Sequence, residues 1–167
     1  MTPRPFIVAT ILLVATPATA LDFDCDTPGA SYSAVTLSVS GGNFSVEADI
    51  QPKVLRPGEK WQPTAGIAIM SADNKRFLSY RISLTDDDRF GAVWSMAGMP
   101  MPNLVGLISK TEKTRLSILV DGDAAILKLG SKSQRVDGLG FVPSAIRLTC
   151  SSGNFLFSDT RLPLGAK

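Results

Sequence analysis

The sequence predicts an all-β chain folded as an antiparallel two-sheet sandwich, on three observations: period-two alternation, regular turn punctuation and no helical periodicity. Alternate residues of a strand face opposite ways, so Phe44, Val46, Ala48 and Ile50 make an apolar face and Ser45, Glu47, Asp49 and Gln51 a polar one. The same alternation sets Leu78, Tyr80, Ile82 and Leu84 against Ser79, Arg81 and Ser83, and Leu116, Ile118 and Val120 against Arg115, Ser117 and Asp121. Turn residues cut the chain every eight to twelve positions, the rhythm of a sandwich. No amphipathic helix of ordinary length is present in the pattern.

Taken in order, the chain opens with an export leader over residues 1–20. Arg4 is its basic head, Phe6 to Ala15 its apolar run, and Ala18-Thr19-Ala20 the small-x-small cleavage pattern, so the mature chain is expected to begin at Leu21. An apolar run of about ten residues is half of what a membrane-spanning helix needs, so no membrane span is expected in the mature chain. Residues 21–167 then read as one β-sandwich domain. Strands are expected at 33–39, 43–51, 64–72, 76–85, 89–97, 104–109, 114–121, 123–130, 144–150 and 154–162. Hairpin turns are expected at Ala72-Asp73-Asn74-Lys75, Asp86-Asp87-Asp88, Asp121-Gly122-Asp123 and Ser151-Ser152-Gly153-Asn154, all rich in residues that tolerate tight turns. Residues 52–63 carry three prolines around Trp61, and 98–103 read Gly-Met-Pro-Met-Pro-Asn; both are expected as surface loops, because proline cannot donate to a central ladder.

Without the leader the chain keeps sixteen of its seventeen basic residues against fifteen acidic ones. Near-neutrality gives no electrostatic reason for a nucleic-acid partner. The two cysteines, Cys25 and Cys150, are expected to form a disulfide in an oxidising periplasmic or extracellular compartment, tying the first segment to the last strand. Histidine is absent from the whole sequence, which removes every Ser-His or Cys-His catalytic pair and the commonest zinc ligand. No Ser-x-x-Lys, Gly-x-Ser-x-Gly, Cys-x-x-Cys or phosphate-binding glycine loop occurs.

Three patterns bear on chemistry. Glu47 and Asp49 sit on one face of one strand, about 7 Å apart by rise per residue, a spacing within reach of glycoside chemistry. Asp86-Asp87-Asp88, with Asp121 and Asp123 elsewhere, suits a solvated turn or a structural calcium, but matches no EF-hand spacing and supports no cofactor. Asn43-Phe44-Ser45 fits an N-glycosylation acceptor.

The order of the runs Asn43 to Ile50, Ala65 to Ile69, Phe77 to Leu84, Leu116 to Asp123 and Gly153 to Leu162 resembles the concanavalin A-like lectin/glucanase jelly roll, with its laminin-G-like relatives. The resemblance covers about residues 33–162 and implies two curved sheets of jelly-roll type, a concave face and rim loops that bind carbohydrate. Hydrolases of that superfamily follow Glu-x-Asp with an acid-base glutamate. Here Glu47-Ala48-Asp49 is followed by Gln51 and Pro52, on an early strand. The resemblance therefore implies a non-catalytic binding module for a glycan or cell-envelope polymer. Candidate ligand contacts are Trp61, Trp94, Tyr80 and Arg81, since indoles stack on sugar faces and guanidinium forks to hydroxyls or carboxylates. A protein-protein interaction or envelope assembly factor, docked through an exposed strand or the Met-Pro loop, is the alternative, and a glycoside hydrolase or lyase the third reading.

Overall fold

The computed structural model describes residues 20–40, 42–58 and 61–163; the leader expected over 1–20 lies outside them except for Ala20. Twelve strands are described: β1 (Ala20–Asp26), β2 (Tyr32–Ser38), β3 (Phe44–Leu55), β4 (Thr64–Met70), β5 (Phe77–Leu84), β6 (Phe90–Met96), β7 (Asn103–Ile108), β8 (Thr114–Asp121), β9 (Ala124–Leu129), β10 (Lys132–Asp137), β11 (Ala145–Ser151) and β12 (Gly153–Arg161). They form two antiparallel six-stranded sheets, ordered β1-β12-β3-β8-β9-β10 and β2-β11-β4-β5-β6-β7. The all-β sandwich expected from alternation is the architecture observed.

Packing follows the alternation residue by residue. The first sheet sends Val46, Ala48, Ile50, Leu116, Ile118, Leu127, Phe155 and Phe157 inward, and the second answers with Ile67, Ile69, Leu78, Tyr80, Ile82, Phe90, Ile146 and Leu148, all essentially without solvent contact. Phe90 meets Phe155 across the interface edge to face, ring centroids 6.1 Å apart. Burying each such side chain contributes about 1.5–3 kcal/mol.

Several expectations are corrected. β1 was not expected, although Leu21, Phe23 and Cys25 alternate with aspartates; β12 supplies its ladder and Phe157 packs on Phe23 at 5.7 Å. β10 was not expected either, because an edge strand needs only one buried residue per few positions and Val136 is its single buried side chain. Pro52, expected in a loop, lies within β3: β8 pairs only Phe44 to Ile50, so beyond Ile50 that side of β3 has no partner for the missing N–H to disappoint. Residues 151–154 are not a hairpin, since β11 and β12 lie in different sheets. The chain crosses between sheets at Ser152, at φ 50°, and at Gly153, where a Cβ would stand 2.7 Å from the Val54 carbonyl oxygen.

Cys25 and Cys150 are bridged, with Cα atoms 6.2 Å apart. The bridge joins β1 of one sheet to β11 of the other, so it staples the two layers rather than tying the first segment to the last strand.

Candidate functional site

The outward face of the second sheet carries a groove of about 280 Å³. Its floor is β4, whose outward positions are small: Thr64, Gly66 and Ala68, ending in Met70. Register builds the walls. Across the sheet, Tyr32, Ser151, Thr64 and Ser83 form one row; Ala34, Thr149, Gly66, Arg81 and Val93 the next; and Thr36, Arg147, Ala68, Ser79 and Ser95 the third. A low floor is thus flanked by Arg147 on one neighbouring strand and Arg81 on the other, with Tyr32 and Phe77 also in the lining.

Arg81 is held by its strand neighbours. Its Nη1 donates to Ser95 Oγ at 3.1 Å and to Ser79 Oγ at 3.4 Å, and it is half-buried. Burial lowers its pKa from the ordinary guanidinium value, since a charged group loses solvation there. Arg147 donates from Nε to Thr36 Oγ1 at 3.1 Å. Among the described residues no aspartate or glutamate lines the groove.

Of the four side chains expected at a site, the structure puts only Arg81 in this groove. Tyr80, its neighbour, points the opposite way and is fully buried, so it contacts the core and not a ligand; burial raises its phenol pKa, keeping it neutral. Trp94 is paired with Tyr80 in register and packs partly buried against the same core. Trp61 is exposed and outside the lining, but adjoins Gln62, whose carbonyl accepts from Thr64 Oγ1 at 3.1 Å and Ser151 Oγ at 3.2 Å, two groove residues. Trp61 therefore stands by one end of the trough. Sequence reasoning missed Tyr32 and Arg147. Alternation sets Arg147 and Thr149 outward from Ile146 and Leu148, but it does not say which outer face is concave; the small outward residues of β4 were the available signal.

The Glu47 and Asp49 pair lies elsewhere, on the outer face of the other sheet. Arg115 reaches Asp49 from Nε at 2.6 Å and Lys113 reaches it at 2.8 Å, while Arg115 Nη1 lies 3.9 Å from Glu47 and Nη2 meets Asp159. The hydrogen bond from Arg115 holds the Asp49 carboxyl below its ordinary value, against desolvation and with help from Lys113. Such a group is a fixed anion, not a proton donor. The aspartates of 86–88 do not converge either: Asp88 meets Lys110 and Asp87 accepts from the Thr85 hydroxyl, and among the described residues no three His, Cys, Asp or Glu side chains could hold a metal. Asn43 Oδ1 accepts from the Gly122 N–H at 2.9 Å, fastening the β8–β9 turn. No described helix is long and apolar enough to cross a membrane.

No family model matches the chain, and no curated protein matches it by sequence. Solved structures do. The chain superposes on the carbohydrate-binding module CBM66 from Bacillus subtilis with a TM-score of 0.57 at 16% identity, over 87% of this chain and 92% of that one. It superposes on a xylan β-1,4-xylosidase from Bacillus halodurans C-125 with a TM-score of 0.59 at 11% identity, over 87% of this chain but only 34% of the xylosidase. A Crh5 transglycosylase gives 0.57 at 8% identity, over 92% and 79%. The likeness is one of fold, a two-sheet antiparallel β-sandwich, and the proteins that share it include a binding module and glycoside-active enzymes.

Proposed function

We propose that the chain is an exported, non-catalytic glycan-binding module, with residues 1–20 its leader, 21–167 one domain, and its ligand seated in the groove over β4. The observation that carries this reading is the groove itself: a trough floored by Thr64 and Ala68, walled by Arg81 and Arg147, edged by hydroxyls and the exposed ring of Tyr32, and lined by no carboxylate among the described residues. Sugars are bound by aromatic faces and by donors that fork to hydroxyls, and this lining offers both. Glycosidic hydrolysis needs an acid beside the scissile bond, and among the described residues the groove has none. The carbohydrate-binding module among the structural neighbours supports the glycan class; the Cys25–Cys150 bridge supports an oxidising, periplasmic or secreted location.

Calorimetric titration of the mature protein against a panel of plant, fungal and bacterial-envelope oligosaccharides tests this. Binding by the parent, weakened about tenfold or more in Tyr32→Ala and Thr149→Trp and less in Trp61→Ala, is the expected result. Turnover of any oligosaccharide, or binding that survives both groove variants, would refute it.

A second reading has its own observation. β7 is an edge strand of the groove-bearing sheet, and Leu104 on it and Met101 before it are 60% and 74% exposed. An exposed apolar edge suits a protein partner adding a strand, and selective capture of an envelope protein by the parent but not by Leu104→Lys is the result that would favour it.

A further inference from the structure

We infer that the glycan recognised in this groove is anionic, carrying carboxylate or sulfate groups that Arg81 and Arg147 clamp from opposite sides. The inference rests on the glycan-binding reading above and adds the charge class of the ligand.

Among the other described arginines, Arg56, Arg115, Arg135 and Arg161 each lie within 4 Å of a carboxylate, and Arg76 and Arg89, which meet none, are exposed to solvent. Arg81 is half-buried and Arg147 partly so, yet among the described residues neither meets one. Their protein partners are neutral hydroxyls: Ser79 and Ser95 for Arg81, Thr36 for Arg147. A partly desolvated guanidinium without a counter-charge costs free energy, and a fold that had only to be stable would place a neutral side chain there. What the arrangement supplies is two forked donors with free N–H groups. Arg81 donates only from Nη1 to the serines, leaving Nε and Nη2 for a ligand.

Register makes the pair a clamp. Arg147 on β11 and Arg81 on β5 are separated by β4 alone, so their Cα atoms lie about 10 Å apart across the sheet, two strand spacings, and one row apart along it. Both side chains are long enough to lean over that gap. Between them β4 presents Gly66 and Ala68, and the glycine is required: a Cβ at Gly66 would overlap Arg81 Cβ and the Tyr80 carbonyl oxygen. The groove holds about 280 Å³, and among the described residues no acidic side chain in its lining opposes an anion. A guanidinium fork recognises carboxylate or sulfate oxygens in bidentate fashion, more strongly than neutral hydroxyls.

The test compares four probes by calorimetry on the disulfide-intact protein: an oligogalacturonate of four to six units, its methyl ester, a sulfated galactan oligomer and a neutral galactan oligomer. The expected result is that an anionic probe binds about tenfold or more tightly than its neutral counterpart, that its affinity falls as salt is raised, and that Arg81→Met and Arg147→Met each bring the affinities of the charged and neutral probes together. Uronate over ester assigns the anion as carboxylate; sulfated over neutral galactan assigns it as sulfate. Arg81→Lys is expected to keep part of the preference, because it retains charge and loses the fork. Circular dichroism of each variant confirms the fold, and Arg147→Met, whose hydrogen bond to Thr36 is exposed, serves if Arg81→Met does not fold. Equal binding of charged and neutral probes overturns the anionic inference and leaves the glycan reading standing. Binding of neither these nor any oligosaccharide of the wider panel overturns both.

Discussion

Gly66 decides what the groove is, because its missing Cβ leaves room for the backbone of β5 to close in and for Arg81 to lie over the floor. In Gly66→Ala the added methyl meets backbone as well as side chain, so relief requires the strands to shift; we expect a loss of about 1–3 kcal/mol in denaturant unfolding, with ligand affinity falling alongside. Unchanged stability would mean the two strands part without strain. Tyr80 illustrates the opposite case. Its ring fills the core, and no side chain or carbonyl of the described residues pairs with its buried hydroxyl. A polar atom desolvated without a protein partner opposes folding, so Tyr80→Phe is expected to leave stability unchanged or raise it by up to about 1–2 kcal/mol. A clear drop in the melting midpoint would show that the hydroxyl is paired in solution.

At the scale of elements, Arg115 of β8 links Asp49 of β3 and Asp159 of β12, so three adjacent strands share one charge network on the face opposite the groove. The folded pKa of Asp49 lies below its unfolded value of 3.8. Its contribution is therefore complete above the unfolded value and is lost as pH falls through and below 3.8. Asp49→Asn is expected to lower stability at pH 7 by about 1–3 kcal/mol and to flatten the acid limb of a stability-pH curve, with no effect on ligand binding. A parallel acid limb in parent and variant would contradict it. The elements themselves were largely legible: half-buried strands such as β5 and β8 write their burial as alternation. β10 was not legible, because five of its six residues face solvent and an edge strand can be polar throughout. Pro52 misled for a related reason: the rule against proline concerns a strand with partners on both sides, and pairing is a property of the sheet, not of the sequence. The candidate site was less legible still. Arg81 was read as outward and lies in the groove, but Arg147 becomes its neighbour only through the order β11-β4-β5, which joins residues more than sixty positions apart.

At the scale of the molecule, the ladders hold strands together within each sheet, while side-chain packing and the Cys25–Cys150 bridge hold one sheet to the other. The bridge spans 125 residues of sequence, and the chain-entropy model assigns closure of such a loop about 4–5 kcal/mol, exerted by restricting the unfolded chain. Reduction removes that restriction and no core contact: Phe23 still packs on Phe157, and β1 still pairs with β12. At about 2–4 °C per kcal/mol for a chain of this size, the melting midpoint is expected to fall by about 10 °C or more on reduction, while the far-ultraviolet sheet signal at 25 °C is retained. The groove should be retained too, since β11, β4 and β5 are held by their own ladders, so ligand affinity in the reduced protein is expected to stay within about twofold. A loss of sheet signal at 25 °C would show that packing alone cannot hold the layers together. Affinity lost while the sheets persist would show instead that the bridge positions β11, and with it Arg147, for the ligand.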